Sequence, residues 1–369
     1  MVNSTDVFVV GGGPAGLAMA IAARQRGLHV AVADSRRPPI DKACGEGLMP
    51  DGLAALERLG LQLPLAEAYP FRGIRFLSRE LSTDALFPAS GFGLAARRTV
   101  LHRVMTERAA QVGTELLWGA AVTGIGADGV HVGKDVVRAR WIIGADGSNS
   151  RVRRWAGLEA SYRPRLRYAF RRHYRVAPWT DLMEVHWGER CQGYATAVSD
   201  EQVCVAMASH DPSFRLEDGL KELPWLSAQL QEAEAVTTER GAVTGNRRLK
   251  RVWRANVALI GDAAGTVDAI TGEGLGLAFS QAVALAGCIE AGDLSPYQKI
   301  HDRLALRPLL MARLMLTLNG RPRLQHRTLQ VFRTRPELFR RLLALHVGAL
   351  PPRDLVWDGL TLGWGLISA

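Results

Sequence analysis

Three glycines near the start of the chain have the spacing Gly11-x-Gly13-x-x-Gly16, directly after the apolar run DVFVV and at the start of a helical segment. Glycine at the first two positions allows a tight turn and lets a pyrophosphate approach the backbone, while Gly16 lets the helix pack closely on the strand. The helix N-terminus adds free N–H groups and a partial positive charge. This pattern predicts a bound dinucleotide.

Asp34 supports the same prediction because it ends the second apolar run, HVAVAD, where a carboxylate can accept a hydrogen bond from the ribose of an adenosine. A glycine-rich turn without a ligand would not explain an acid at this position. The neighbouring residues that we expect to contact the dinucleotide are Pro14, Ala15, Ser35 and Arg36.

A second segment, residues 261–279, has the residue types needed to close on a flat cofactor. Gly261-Asp262 places an acid suited to a ribose hydroxyl, and Gly272-Glu273-Gly274 opens an apolar helix whose start can stabilise negative charge. Because this segment is far in sequence from Gly11, we expect one large cofactor to be held from both ends of the chain. The predicted contacts in this segment are Gly261, Asp262, Gly272, Glu273, Gly274 and Leu275.

Two elements between these segments carry a resemblance to a known family. Arg98-x-x-Leu101 begins a helix, and GADGSNSRVR at residues 144–153 follows a buried strand. Together with Gly261-Asp262 they resemble motifs of the FAD-dependent oxidoreductases of the p-hydroxybenzoate hydroxylase fold. The resemblance implies bound FAD and, because no second Gly-x-Gly-x-x-Gly is present, NAD(P)H as a transient reductant. It also implies cofactor contacts by Arg98, Val122, Asp146 and Gly147.

The branch of this superfamily is ambiguous in two places. Hydroxylases usually carry a histidine and a later proline after the second GD element, where this chain has Gly265 and Ala269. The loop KACGEG at residues 42–47 is similar to the K-P-C-G-G loop of the geranylgeranyl reductase branch. That similarity implies flavin contacts by Lys42, Cys44 and Gly45.

The favoured reaction is an NAD(P)H-dependent monooxygenation of a hydrophobic or aromatic small molecule, as in secondary metabolism. The first alternative is reduction of an isoprenoid-type double bond, although the Y-x-W-x-F-P element of the reductase branch keeps only its tyrosine, as Tyr194. The second alternative is a flavoprotein that acts on or docks to a partner protein. Halogenation is disfavoured because no tryptophan stands in the W-x-W-x-I-P motif of flavin halogenases.

Side chains for acid–base or redox work are few. Cys44 and Glu46 lie in the loop expected at the flavin, and Glu273 lies between two glycines of the second segment, so these three are the catalytic candidates. A buried small residue for Cys44 and a helix N-terminal charge for Glu273 are the structural alternatives. The cysteines show no metal-ligand spacing, so no metal site is predicted.

The chain has 369 residues and a formal net charge of +10, carried mostly by arginine. Residues 303–341 hold ten arginines and one acid, which predicts either a solvated face or an anionic partner such as an acyl carrier, a phosphorylated lipid or a membrane surface. Nucleic acid is disfavoured because no recognised binding motif is present. The four unpaired cysteines and the absence of a signal-peptide pattern predict a cytoplasmic protein, with peripheral membrane association as an alternative.

The order of apolar runs predicts an α/β (α+β) fold in which a Rossmann-like FAD-binding domain with a parallel sheet is interleaved with an antiparallel-sheet substrate domain. The FAD-binding domain is assigned to residues 1–72, 96–158 and 252–295, and the substrate domain to residues 73–95 and 159–251. Residues 296–369 form a helical C-terminal region that we expect to be divided by Pro308, Pro322 and Pro336. Its apolar tail, WDGLTLGWGLISA, is expected to pack in the core, to cap the substrate pocket or to contact a membrane.

Overall fold

The computed structural model describes residues 3–78, 81–159, 166–351 and 353. The strands of this part of the chain are β1 Ser4–Val10, β2 Val30–Asp34, β3 Gly47–Leu48, β4 Tyr69–Phe71, β5 Gly73–Ser78, β6 Leu81–Leu86, β7 Gly93–Ala95, β8 Glu115–Trp118, β9 Val122–Gly126, β10 Gly129–Val132, β11 Asp135–Gly144, β12 Arg167–Arg175, β13 Met183–Trp187, β14 Cys191–Ser199, β15 Gln202–Ser209, β16 Glu234–Ala235, β17 Arg240–Thr244, β18 Arg247–Arg248, β19 Trp253–Arg254, β20 Val257–Leu259 and β21 Gly265–Thr266.

The α-helices in the same part of the chain are α1 Pro14–Arg24, α2 Pro50–Arg58, α3 Arg98–Gln111, α4 Arg151–Trp155, α5 Leu216–Glu222, α6 Pro224–Gln229, α7 Gly274–Glu290, α8 Tyr297–Leu318, α9 Pro322–Thr334 and α10 Pro336–His346. Four short 3₁₀ turns join them at Leu65–Glu67, Pro88–Ser90, Gly261–Ala263 and Ala269–Thr271.

The first sheet has the order β19-β20-β11-β1-β2-β8, and its five strands from β20 to β8 pair in parallel. Helices α1 and α7 pack against each other and belong to the same main hydrophobic cluster as this sheet. Because β1 and β2 are buried in that cluster, their sequences are continuous apolar runs rather than alternating ones. Helix α1 begins with Pro14, whose missing N–H costs nothing at a first helical position. The expected Rossmann-like parallel sheet is confirmed.

The second sheet has the order β16-β12-β15-β14-β13-β5-β6, with β17 also pairing β12. Its pairs are antiparallel, as expected, except that β13 and β5 run in parallel, with Met183 opposite Ile74. Two further hydrophobic clusters form on it. One includes Phe76, Trp187 and the C-terminal helices, and the other includes Val205 and the residues of α5 and α6.

The C-terminal helices differ from the prediction at one proline. Pro322 and Pro336 begin α9 and α10 as expected, but Pro308 lies inside α8, which continues through it. Pro308 is buried, so we attribute the unbroken helix to packing that offsets the hydrogen bond that this proline cannot donate. The predicted tail WDGLTLGWGLISA lies outside the described residues. Within the described ranges, no helix is long and apolar enough to cross a membrane.

The parallel sheet draws its strands from three separated parts of the chain, because β8 and β11 follow the β3–β7 region and β20 follows the second sheet. The two sheets are thus interleaved in sequence, which places the chain connections between them beside the carboxyl ends of the parallel strands. The domain boundaries given above stay a prediction.

Candidate functional site

A cavity of about 790 Å³ opens at the carboxyl ends of β1, β2, β11 and β20 and extends to the second sheet and the C-terminal helices. This edge of a parallel sheet is where open α/β folds bind ligands. Most of the residues predicted from sequence line it: Gly11, Gly13, Pro14, Ala15, Asp34, Ser35, Arg36, Lys42, Cys44, Gly45, Glu46, Arg98, Val122, Asp146, Gly147, Gly261, Asp262, Gly272, Gly274 and Leu275. Gly16 and Glu273 are not among its lining residues.

The glycine turn has the geometry that a pyrophosphate needs. Gly11 has φ +111°, and a Cβ added there would lie 2.5 Å from the carbonyl oxygen of Ala145. A Cβ on Gly16 would lie 1.8 Å from the Gly11 oxygen, so this residue serves helix packing rather than ligand contact. A Cβ on Gly13 would meet no atom within 4 Å, which leaves the start of α1 open toward the cavity.

Asp34 is held by the glycine turn that it faces. Its carboxylate oxygens accept hydrogen bonds from the backbone N–H of Gly12 at 2.9 Å and of Arg36 at 2.8 Å. The carbonyl of Gly12 lies 2.9 Å from Nε2 of His102, a buried residue of α3 that the sequence analysis missed. Burial lowers the pKa of His102, so we assign a neutral ring that donates from Nε2. No sequence motif predicted a role for this histidine.

The two acids that follow β11 and β20 differ in what their carboxylates do. Asp146 accepts hydrogen bonds from the backbone of Arg151 at 2.6 Å and from the Ser150 hydroxyl at 2.5 Å, so it holds the start of α4. The Asp262 carboxylate is 44% exposed and forms an ion pair of 3.1 Å with Lys42. Asp262 is therefore the acid of the two that keeps acceptor capacity for a ribose hydroxyl.

Glu46, a residue of the loop 42–47, holds this loop in place through the contacts of its buried carboxylate. This residue is buried with φ +63°, and its carboxylate accepts a hydrogen bond from the backbone N–H of Arg98 at 2.9 Å. The other carboxylate oxygen lies 2.6 Å from Nε2 of His173 on β12. Cys44 is half-buried at the cavity wall, whereas Cys191, Cys204 and Cys288 are buried. The contacts of Glu46 are those of a residue that shapes the loop carrying Cys44.

Glu46, His173 and Cys204 bring three potential metal-ligand atoms within 4.8 Å of one another. The guanidinium of Arg171 lies 3.9 Å from the Glu46 carboxylate, so the position beside it already holds a cation. Burial raises the pKa of the Cys204 thiol well above its ordinary value, whereas a metal ligand would be a thiolate. The cluster is better suited to hydrogen bonding than to a metal ion.

The far part of the cavity, which we call the substrate half, is the lining contributed by β5, β13, β14 and α8–α10. Its side chains are mostly apolar and aromatic, and they include Phe76, Trp187, Met311, Phe332 and Phe339. The sequence analysis did not assign these residues to the site. The available signal was the apolar face of each C-terminal helix, but such a face does not distinguish a cavity wall from a core.

Tyr194 is a polar aromatic residue of the substrate half. Its hydroxyl donates a hydrogen bond to the carbonyl of Ile270 at 2.9 Å, and burial raises its pKa. Tyr174, His186 and His210, from the same sheet, are absent from the described cavity lining. His186 instead contacts the buried Glu184 at 3.1 Å.

Residues 4–291 match the family described as FAD binding domain, and the chain belongs to this family. The expected cofactor is thereby supported, and it fits the open cradle at Gly13 and the half-exposed carboxylate of Asp262. The chain is an FAD-dependent oxidoreductase with a fold of the p-hydroxybenzoate hydroxylase type, as the resemblance implied.

Two relatives align over most of this chain. The menaquinone reductase of Mycobacterium tuberculosis (strain ATCC 25618 / H37Rv) is 29% identical over 331 residues, which cover 79% of this chain and 78% of that protein. The digeranylgeranylglycerophospholipid reductase 1 of Methanothermobacter thermautotrophicus is 27% identical over 333 residues, which cover 81% of this chain and 83% of that protein.

Two solved structures share the fold. A flavin-dependent brominase superposes with a TM-score of 0.80 at 18% identity, covering 94% of each chain. A geranylgeranyl bacteriochlorophyll reductase-like protein from Thermoplasma acidophilum superposes with a TM-score of 0.74 at 20% identity, covering 94% of this chain and all of the other. At such identities the likeness concerns the fold and not the reaction.

Proposed function

We propose that this flavoprotein reduces a carbon–carbon double bond in the isoprenoid chain of a lipid. The observation that carries the proposal is the substrate half of the cavity, whose described lining includes no Asp, Glu, Lys or Arg. A hydrocarbon chain gains roughly 25 cal/mol for each Å² of apolar surface removed from water by such a lining. The two relatives support this direction, because the lipids in their names both carry isoprenoid chains.

FAD, when bound, supplies hydride-transfer chemistry, and the chain must bind the cofactor, orient the lipid and exclude water. The turn at Gly13, Asp34 and the pair of Lys42 and Asp262 would hold the dinucleotide. The start of α7 at Gly274 lies at the cavity wall, where its dipole stabilises negative charge. NAD(P)H remains our proposal for the reductant.

Monooxygenation, which the sequence analysis favoured, is the second candidate. An enclosed apolar wall serves that reaction as well, because water must be kept from the reacting atoms. A hydroxylase also needs a group that polarises a substrate oxygen. The Tyr194 hydroxyl already donates its hydrogen bond to the carbonyl oxygen of Ile270. Because the two relatives that align over most of the chain are reductases by name, we place hydroxylation second.

The mass of the product distinguishes the two reactions. FAD-loaded protein would be incubated with menaquinone or a geranylgeranyl lipid and with NADH or NADPH, with and without air, and the lipid reoxidised with ferricyanide before mass spectrometry. Reoxidation removes the two hydrogens of a quinol but not those added to the chain. We expect a retained gain of two hydrogens without air. A gain of one oxygen only in air would establish the hydroxylase instead. Of NADH and NADPH, the one that bleaches the flavin absorbance is the reductant.

We also propose that the outer face of α9 docks on an anionic lipid surface. Arg323 and Arg333 are exposed on this helix, as are Arg321 and Arg335 at its ends. The opposite face carries Phe332 into the substrate half. The same helix thus borders the cavity and presents positive charge, and each basic residue near an anionic membrane contributes about 1 kcal/mol.

The double substitution Arg323→Gln/Arg333→Gln is expected to weaken binding to vesicles that contain anionic phospholipid by about tenfold or more, as measured by co-sedimentation. The matched control is Arg138→Gln/Arg154→Gln, which removes two exposed arginines from other parts of the chain and should not weaken binding. Binding should also fall at high salt, because the attraction is electrostatic. Equal binding to neutral vesicles would contradict the proposal.

A further inference from the structure

Glu273 is a buried acid whose carboxylate does not face the cofactor cavity. It is 6% exposed, and neither of its oxygens has a hydrogen-bond partner within normal geometry in the described chain. Its carboxylate forms two ion pairs that are longer than a close hydrogen bond. One joins it to Nδ1 of His346 at 3.4 Å, and the other joins it to the Arg307 guanidinium at 3.5 Å. A buried carboxylate held this loosely needs an explanation beyond stability.

A second, smaller cavity of about 50 Å³ lies on the outer side of Glu273. Asp51, Ser280 and Arg307 supply its polar lining, and Arg307 also forms an ion pair with Asp51. This volume is sufficient for a water molecule, and the polar lining supplies partners for one.

His346 stands on the other side of Glu273. It is the last residue of α10, it is buried, and its ring lines the substrate half of the main cavity. Because Nδ1 is turned to Glu273, Nε2 is the ring nitrogen left to face the cavity. Among the described lining of the substrate half, His346 is the single histidine, the side-chain type that most often acts as a general acid.

We propose that His346 donates the proton that completes reduction of the double bond, and that Glu273 positions His346 and returns a proton to it from the smaller cavity. This inference rests on the proposed function. Reduced FAD, when bound, would supply the hydride for one carbon–hydrogen bond. The His346 proton forms the other, and the π bond between the two carbons is lost. The FAD would be oxidised in this step. The imidazole must then turn so that its deprotonated nitrogen meets Glu273, which returns a proton and regains one from hydronium in solvent through the smaller cavity.

The charges around Glu273 suit proton transfer. Burial raises the pKa of its carboxyl, and the nearby His346 and Arg307 oppose that rise while Asp51 adds to it. A raised pKa means that this carboxyl holds a proton more readily than an exposed glutamate does. Another buried pair of this type, Glu184 with His186 at 3.1 Å, does not line the cavity and supplies a matched control.

The kinetic test uses FAD-loaded protein reduced with dithionite and mixed with the lipid substrate without air. His346→Gln should retain FAD and lipid binding but slow single-turnover flavin reoxidation by about 100-fold or more. Glu273→Gln should slow it by about tenfold, as expected of a group that orients another. His186→Gln should leave the rate unchanged. A His346→Gln rate within about threefold of the wild type would overturn the proposal.

A binding measurement separates this inference from the proposed function. The ¹⁵N signals of the His346 ring, assigned by their loss in His346→Gln, should shift when menaquinone is added. In Glu273→Gln the Nδ1 signal should also shift, because the group that faces this nitrogen has lost its charge. Bound lipid without a His346 shift would overturn the inference even if the lipid is reduced. A shift without any reduced product would refute the proposed function and leave His346 only a binding group.

Discussion

Gly13→Ala is expected to give a folded protein that no longer retains FAD, whereas Gly16→Ala is expected to destabilise the fold itself. Gly13 has φ −73°, which alanine adopts freely, and its added Cβ would meet no protein atom within 4 Å. That methyl group would instead occupy space at the cavity that a pyrophosphate needs. We expect FAD affinity to fall at least tenfold while the unfolding free energy of the apoprotein changes by less than about 0.5 kcal/mol.

The same chemical change at Gly16 meets the backbone. Its Cβ would lie 1.8 Å from the carbonyl oxygen of Gly11, and neither α1 nor β1 can shift without disturbing the core around them. Such overpacking costs about 3 kcal/mol, which corresponds to a fall of about 5 °C in the apoprotein Tm. Calorimetry of both apoproteins and FAD titration by fluorescence provide the measurements. Equal Tm losses in the two variants would show that Gly13 is a packing residue.

This pair of glycines illustrates what the sequence could reveal. The part of the cavity at the carboxyl ends of the parallel strands follows from local patterns, because Gly11, Asp34 and Asp262 each lie at or directly after the end of such a strand. Strands of such a sheet end at one edge, so separated motifs converge without any knowledge of the packing elsewhere. Gly11, Gly13, Asp34, Gly261 and Asp262 were predicted on this basis, and all five line the cavity.

The substrate half could not be predicted in the same way. Phe332 and Phe339 reach the cavity only because α9 and α10 fold back on the second sheet, and no local pattern specifies that contact. Glu273 shows the same limit at a single residue. Its place between two glycines indicated the flavin, but the turn directs its carboxylate to Arg307 and His346. A motif fixes where the backbone lies, whereas side-chain direction depends on packing.

Asp268→Asn is expected to be among the most destabilising changes of a polar residue, with a loss of about 3–5 kcal/mol in unfolding free energy. The Asp268 carboxylate lies 2.8 Å from Arg167, and both side chains are at most 2% exposed. Asparagine keeps the shape and the bond accepted from the backbone of Ile270, but it leaves the buried guanidinium without a counter-charge. Urea unfolding of the apoprotein measures the loss.

The matched control is Glu234→Gln, which removes a carboxylate from an exposed ion pair with Arg175, 2.5 Å apart, and should cost less than about 1 kcal/mol. The double variant Arg167→Met/Asp268→Asn should recover part of the loss, because no unpaired charge then remains in the interior. Recovery would assign the cost to the orphaned arginine rather than to local repacking. Because Asp268 joins the second sheet to the turn that ends at Gly272, the single variant should also bind FAD more weakly, and the double variant should regain affinity with stability.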